Sequence, residues 1–158
     1  MAKTLAGSKL YVCATAQNSD LNQAAFEALT WVEVKNIGSV GETGTNTNLV
    51  NYDELGTLVT QKAKGLSDAG SPPVECARNP TDPGQIIMRS IAVLTDTNNY
   101  AFKYEKNDAP TGYTNTIHYM RGVVVGPTRP NGRVEDFDLE VFMLGLNQAE
   151  ITVDPAAI

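Results

Sequence analysis

Along much of the chain, apolar and polar residues alternate with a period of two, the mark of strands with one buried face. From Lys9 to Thr15, Leu10, Val12 and Ala14 alternate with Lys9, Tyr11 and Cys13. Trp31 to Ile37 keeps the period, with Val32 and Val34 sharing a face, and Tyr100 to Lys106 sets Tyr100, Phe102 and Tyr104 against Ala101, Lys103 and Glu105. Leu58 to Ala63 and Val74 to Ala77 are shorter strand candidates, joined by KGLSDAGSPP. The longest stretch closes the chain. Ile117 to Val125 (IHYMRGVVV) enters the turn GPTRPNGR and returns as VEDFDLEVFMLGL, a hairpin over about 117–146. At about 3.3 Å per residue, each of its arms reaches ~30 Å, long for a small domain, so its edges need other strands or other subunits. On the return strand Asp136, Asp138 and Glu140 are expected on one face and Phe137, Leu139 and Val141 on the other.

Two segments change period. SDLNQAAFEAL reads as a short helix capped by Ser19 or Asp20. The firmer helix starts at Asp82, with Pro83 at the first helical position, Gln85 completing a D-x-x-Q capping box, and Ile87, Ile91 and Leu94 as an apolar stripe. Between the strand candidates, 38–53 (GSVGETGTNTNLVNYD) shows neither period. A loop this long and polar is expected to serve as a partner surface, anchored by Leu49, Val50 and Tyr52, or to be a floppy tip. Six or seven strands with tight turns, one firm helix and one short one predict a mainly β fold, an antiparallel β-sandwich or barrel with a flanking α-helix. No internal repeat or linker divides the chain, so 1–158 reads as a single domain.

Composition narrows the function. The formal net charge of −6 argues against a protein that grips nucleic acid by neutralising phosphates. Cys13 and Cys76 sit in strand-like runs without metal-ligand spacing and read as buried free thiols. MAKTLAGSK lacks the apolar stretch of a signal peptide, and no apolar run reaches the ~20 residues of a membrane span. Synthesis in a reducing cytosol and solubility until partners are met are therefore expected.

Catalytic chemistry finds little purchase. GSVGETG at 38–44 lacks the GK[ST] ending and following helix of a phosphate loop. His118 is the only histidine and no G-x-S-x-G nucleophile motif accompanies it, which favours a structural or interface role. The acidic trio Asp136, Asp138 and Glu140 would need added loop oxygens to hold Ca²⁺ or Mg²⁺, and a solvated strand face is the plain alternative. No enzyme activity, cofactor or metal is expected. Arg129 and Arg133 flank the hairpin tip with Arg121 further down, a basic tip above an acidic shaft that could meet a copy head to tail, or simply arginines solvating a turn.

The order of these segments carries a family resemblance. A strand near the N-terminus is followed by a W-x-x-V strand at Trp31 and a Gly/Thr/Asn loop ending in D-E-L at Asp53. A K-x-x-G-x-x-D-x-G segment over Lys62 to Gly70, a mid-chain helix and a final M-R-G-x-V hairpin from Met120 complete the series. This resembles the major tail tube proteins of long-tailed, non-contractile bacteriophages, and is similar to the N-terminal domain of the lambda tail tube protein without its further C-terminal domain. The resemblance implies a structural virion protein that assembles into hexameric rings, stacked as a tail tube through which the genome is ejected. It implies copies of itself as the main partner, a tape-measure protein in the lumen during assembly, terminator and tail-tip proteins at the ends, and double-stranded DNA passing without specific binding. The location implied is the virion tail, after assembly in the host cytoplasm. The loop over about 41–55 would reach a neighbouring ring or subunit, with Thr45, Asn46, Asn48, Leu49, Tyr52 and Asp53 as inter-ring contacts. Arg121, Arg129 and Arg133 would lie at subunit interfaces. An acidic channel wall would repel DNA, one charge per ~1.7 Å, and let it slide; Asp136, Asp138 and Glu140 are the lumen candidates. The rivals are a capsid-decorating or ligand-binding β-sandwich, the tube of a contractile tail or secretion system, and a small barrel enzyme using the acidic trio.

Overall fold

The computed structural model describes residues 2–158. In chain order the elements are β1 (Lys9–Val12), α1 (Gln23–Glu27), β2 (Val32–Val34), β3 (Ile37–Val40), β4 (Asn46–Tyr52) and β5 (Gln61–Asp68). There follow β6 (Pro73–Ala77), α2 (Pro83–Ile91), β7 (Tyr100–Glu105), β8 (Ile117–Thr128), β9 (Leu139–Leu146) and β10 (Ile151–Val153). The main sheet is antiparallel in the order β2-β1-β7-β8-β9-β6-β3, with β10 beside β8. β10 pairs with Ile117–Tyr119 and β9 with Gly122–Thr128, so the two share one long edge of β8.

β2 and β3 lie at opposite ends of that order, yet only Lys35 and Asn36 separate them in the chain. Three Cα steps span at most about 11 Å, so the sheet must curl until its edges nearly meet. Asn36 makes the corner with a left-handed φ of 62°, a conformation asparagine tolerates well. The curl brings the two halves of the sheet face to face as a mainly β, antiparallel sandwich.

α2 closes the seam. Asp82 caps it, its Oδ2 accepting from the Gln85 amide at 3.1 Å and from the Lys35 amide of the seam at 3.1 Å. The expected capping box forms by half: the Gln85 side chain turns away and donates to the carbonyls of Lys35 (2.8 Å) and Ala77 (3.0 Å). Gly84 lets the helix sit this close, since a Cβ there would stand 2.1 Å from the Glu33 carbonyl oxygen. The helix ends at Ile91 and buries Gly84, Gln85, Met88 and Ile91. The expected stripe therefore shifts: Ile91 keeps its place, Ile87 packs only in part, and Leu94 lies past the helix end, 95% exposed. α1 is capped by Asn22, whose side chain accepts from the Ala25 amide at 2.8 Å, and not by Ser19 or Asp20.

Leu10, Val12, Phe102, Met120, Phe142 and Leu144 form the enclosed core with Met88 and Ile91 of α2. On the other face of the sheet, Phe26 of α1 stacks on Tyr119 with ring centroids 5.1 Å apart, over Cys13 and Ala101. Both faces of β7 and β8 are thus covered, which accounts for the burial of Ala101 on the face expected to be polar.

Two sequence expectations change here. The segment at 41–55 is not one loop: Asn46–Tyr52 is a strand, paired antiparallel with Gln61–Asp68 in a separate two-stranded sheet. The closing hairpin keeps its place, but its return strand begins at Leu139, leaving 129–138 as the turn.

Candidate functional site

β4 and β5 form an arm outside the sandwich. Their register runs from Asn46 opposite Asp68 to Tyr52 opposite Gln61, with an irregularity between Thr47 and Leu49 and a Thr47–Ser67 hydroxyl contact of 2.7 Å. Every residue of β5 is exposed, and so are all of β4 but Thr47. The apolar side chains Leu49, Val50, Tyr52 and Leu66 stand in water along it, and Leu55, Leu58 and Val59 do so at its tip over 53–60. A hairpin without a hydrophobic face to pack on is marginal alone, and clustered exposed apolar side chains mark surfaces meant for a partner. Of the residues expected to make inter-ring contacts, Asn46, Asn48, Leu49 and Tyr52 fall on β4, Thr45 at its root and Asp53 where the tip begins.

The acidic trio is not brought together. Glu140 shares the core face of β9 with Phe142, Leu144 and Leu146 and is fully buried, so it cannot line a channel as expected. Its Oε1 meets Arg89 Nε at 2.9 Å and Arg78 Nε at 3.2 Å, and its Oε2 faces Arg129 Nη2 at 3.6 Å. Oε2 accepts no hydrogen bond. Asp136 and Asp138 are exposed on the turn before β9, where the Asp136 carboxylate accepts from the Arg133 amide at 2.7 Å and the Asp138 carbonyl from the Arg78 amide at 2.8 Å.

The arginines divide in the same way. Arg121, expected at a subunit interface, is 5% exposed because its guanidinium ties three segments together. It donates to Asp20 Oδ1 (2.6 Å), Gln148 Oε1 (3.1 Å) and the Gln17 carbonyl (3.2 Å). Arg129 is half exposed beside Glu140, and Arg133 lies exposed on the turn. Arg78 and Arg89, which complete the Glu140 cluster, had no role in the sequence reading. The signal for them was present, since Glu140 is in phase with Phe142, Leu144 and Leu146 and a carboxylate on a core face needs cations around it.

His118 stands on β8 with Nδ1 2.6 Å from Glu150 Oε1 and 2.9 Å from the Thr152 hydroxyl. Burial pushes its pKa below the ordinary range, and it outweighs the opposite pull of Glu150. The geometry agrees: Nε2 is buried without a partner, so a second ring proton would have no acceptor. Burial, then the Glu140 charge, pushes the Cys76 thiol up to about 11, which leaves it a protonated core side chain.

The geometry is that of a curled antiparallel sandwich with an exposed apolar arm held away from it. Among solved structures of the same fold is one described as an extracellular contractile injection system, the PVC sheath/tube terminator in its extended state. It aligns over 97% of this chain and 97% of that one, with a TM-score of 0.69 and 10% identity. Another, described as the anti-feeding prophage (AFP) baseplate, 6-fold symmetrised, aligns over 98% of each chain with a TM-score of 0.65 and 9% identity. This chain therefore shares the fold of components of tail-like contractile particles. No family model matches the sequence, and no curated protein does.

Proposed function

We propose that this chain is a structural subunit that assembles with copies of itself into stacked rings, the tube of a phage-type tail through which DNA passes. The observation that carries the reading is the β4–β5 arm, whose apolar side chains Leu49, Val50, Tyr52 and Leu66 stand exposed to solvent. A contact between unlike surfaces of identical subunits repeats without limit, closing into rings or extending into tubes. The curled sheet supplies a rigid body, and the arm supplies the contact between one ring and the next. An acidic protein of net charge −6 suits passage of DNA without binding. Tape-measure, terminator and tip proteins belong to the same proposal, as does the virion tail as location.

The test replaces 46–68 with a short Gly-Ser link. The wild-type protein is expected to shift to large species in sedimentation as its concentration rises, and the armless variant to stay a folded monomer. Polymerisation of the armless protein would remove the arm from the account. A second reading, a ring in a terminator or baseplate rather than a repeating tube, is favoured by the descriptions of the two structures of like fold. It differs in outcome, because such a protein stops at a single ring.

A further inference from the structure

We propose that the arm's receptor is the groove between the segment following α2 and the end of β8 on a second copy of this chain. The inference rests on the self-assembly reading and names the partner surface that reading requires.

The groove encloses about 610 Å³ and is lined by Val93, Leu94, Val123, Val125 and Pro127. Leu94 is 95% exposed and Val125 50%, so its walls present apolar side chains to solvent. Its one nearby carboxylate, Asp96, is engaged by the Tyr100 hydroxyl at 2.6 Å and the Asn98 amide at 3.0 Å.

One end of the groove is basic. β8 ends at Thr128, opposite Val141 and one residue past Pro127, and Arg129 follows it. Arg129 and Arg89 both reach Glu140, the neighbour of Val141, which puts their guanidiniums at the groove's Pro127 end. There Arg78, Arg89 and Arg129 share the single carboxylate of Glu140. Three cations on one buried anion leave two charges uncompensated, and the half-exposed Arg129 is the one most open to a visitor.

The arm tip has the complementary chemistry. Asp53 and Glu54 are exposed next to Leu55, Leu58 and Val59, an acidic pair followed by bare apolar side chains. Apolar tip in apolar groove, with acids toward Arg129, satisfies both at once, and charge complementarity fixes the direction.

Position argues for a second copy rather than the arm's own body. The arm is rooted at the finish of β9, where the Leu146 amide donates to the Gly70 carbonyl at 3.1 Å. The arginine cluster lies at the start of β9, on Glu140. Six residues at about 3.3 Å separate the two by ~20 Å along the sandwich. The groove runs beside β8 from Val123, opposite Gly145 near the arm's root, so its basic end stands at the far end of the body from the arm, the relation that head-to-tail stacking needs.

The test is cysteine cross-linking between two single variants, Leu55→Cys and Leu94→Cys. The native Cys13 and Cys76 are 2% and 1% exposed and stay silent. Mixed at assembling concentration and oxidised, the two variants are expected to give a disulfide-linked dimer that neither gives with wild type. Adding Arg129→Gln to the Leu94→Cys partner is expected to slow the link by about 1.5-fold to fivefold, the range for losing one half-exposed ion pair. Assembly without the 55–94 link, or with an equal link from Leu55→Cys to a Leu5→Cys control on the exposed N-terminal segment, overturns this receptor and leaves self-assembly standing. Failure of the mixture to assemble at all overturns both.

Discussion

Glu140 shows how much one residue's direction changes the picture. Its two-residue period with Asp136 and Asp138 is legible in the sequence, and so is the strand. What a window ending at Val141 hides is the sign of the face: Phe142, Leu144 and Leu146 continue Glu140's side into the core. Glu140→Gln keeps the shape and removes the only carboxylate among three guanidiniums. Breaking a buried pair costs about 3–5 kcal/mol, and the partial exposure of Arg78 and Arg129 places the expected loss near the lower figure. Arg78→Gln, at a position 36% exposed on its side chain, is expected to cost under about 1 kcal/mol. Urea midpoints of the two variants check this, and equal losses would mean that the buried charge is not the organising feature.

His118 adds a pH dependence whose sign follows from its lowered pKa. The unfolded ring takes up a proton near the ordinary 6.5, while the folded ring resists it until lower pH. Between those points the unfolded state binds more protons, so stability is full above about 6.5 and falls as pH drops through the window. His118→Gln is expected to flatten that slope in thermal melts between about pH 7 and pH 5. An unchanged slope would place the titrating group elsewhere.

At the scale of elements, the segments with a periodic pattern packed into the core were the readable ones: β1, β7, β8 and the Asp82-capped α2 all stand close to where their patterns put them. The arm was hidden for a physical reason. Both of its faces are exposed, so no alternation of apolar and polar residues was needed to form it, and its Gly, Thr and Asn content reads as loop. The seam was hidden too, because Gln85 bonds to Lys35 and Ala77 through contacts far apart in sequence. Since β4 and β5 pair only with one another, replacing 46–68 is expected to leave the melting temperature of the dilute protein within a few degrees of wild type while abolishing its large assemblies. A variant that melts far earlier would make the arm part of the fold rather than a contact between copies.

For the whole molecule, the two-residue link between β2 and β3 holds the sheet in its curl, and the arm and the α2–β8 groove each gather several exposed apolar side chains. The order of segments along the chain carried the general architecture and the expectation of assembly. It did not carry the surfaces, because inter-copy contacts leave no periodic trace in one copy's sequence. The same fold occurs in components of contractile particles at 10% identity or less, so the common element is a way of curling a sheet and not a set of shared side chains. Under the proposed function, copies of this chain build a hollow, repeating tube. Electron microscopy of the purified, concentrated protein is expected to show rings with a central hole that stack into tubes of indefinite length, and a population that stays monomeric at every concentration would rule the tube out.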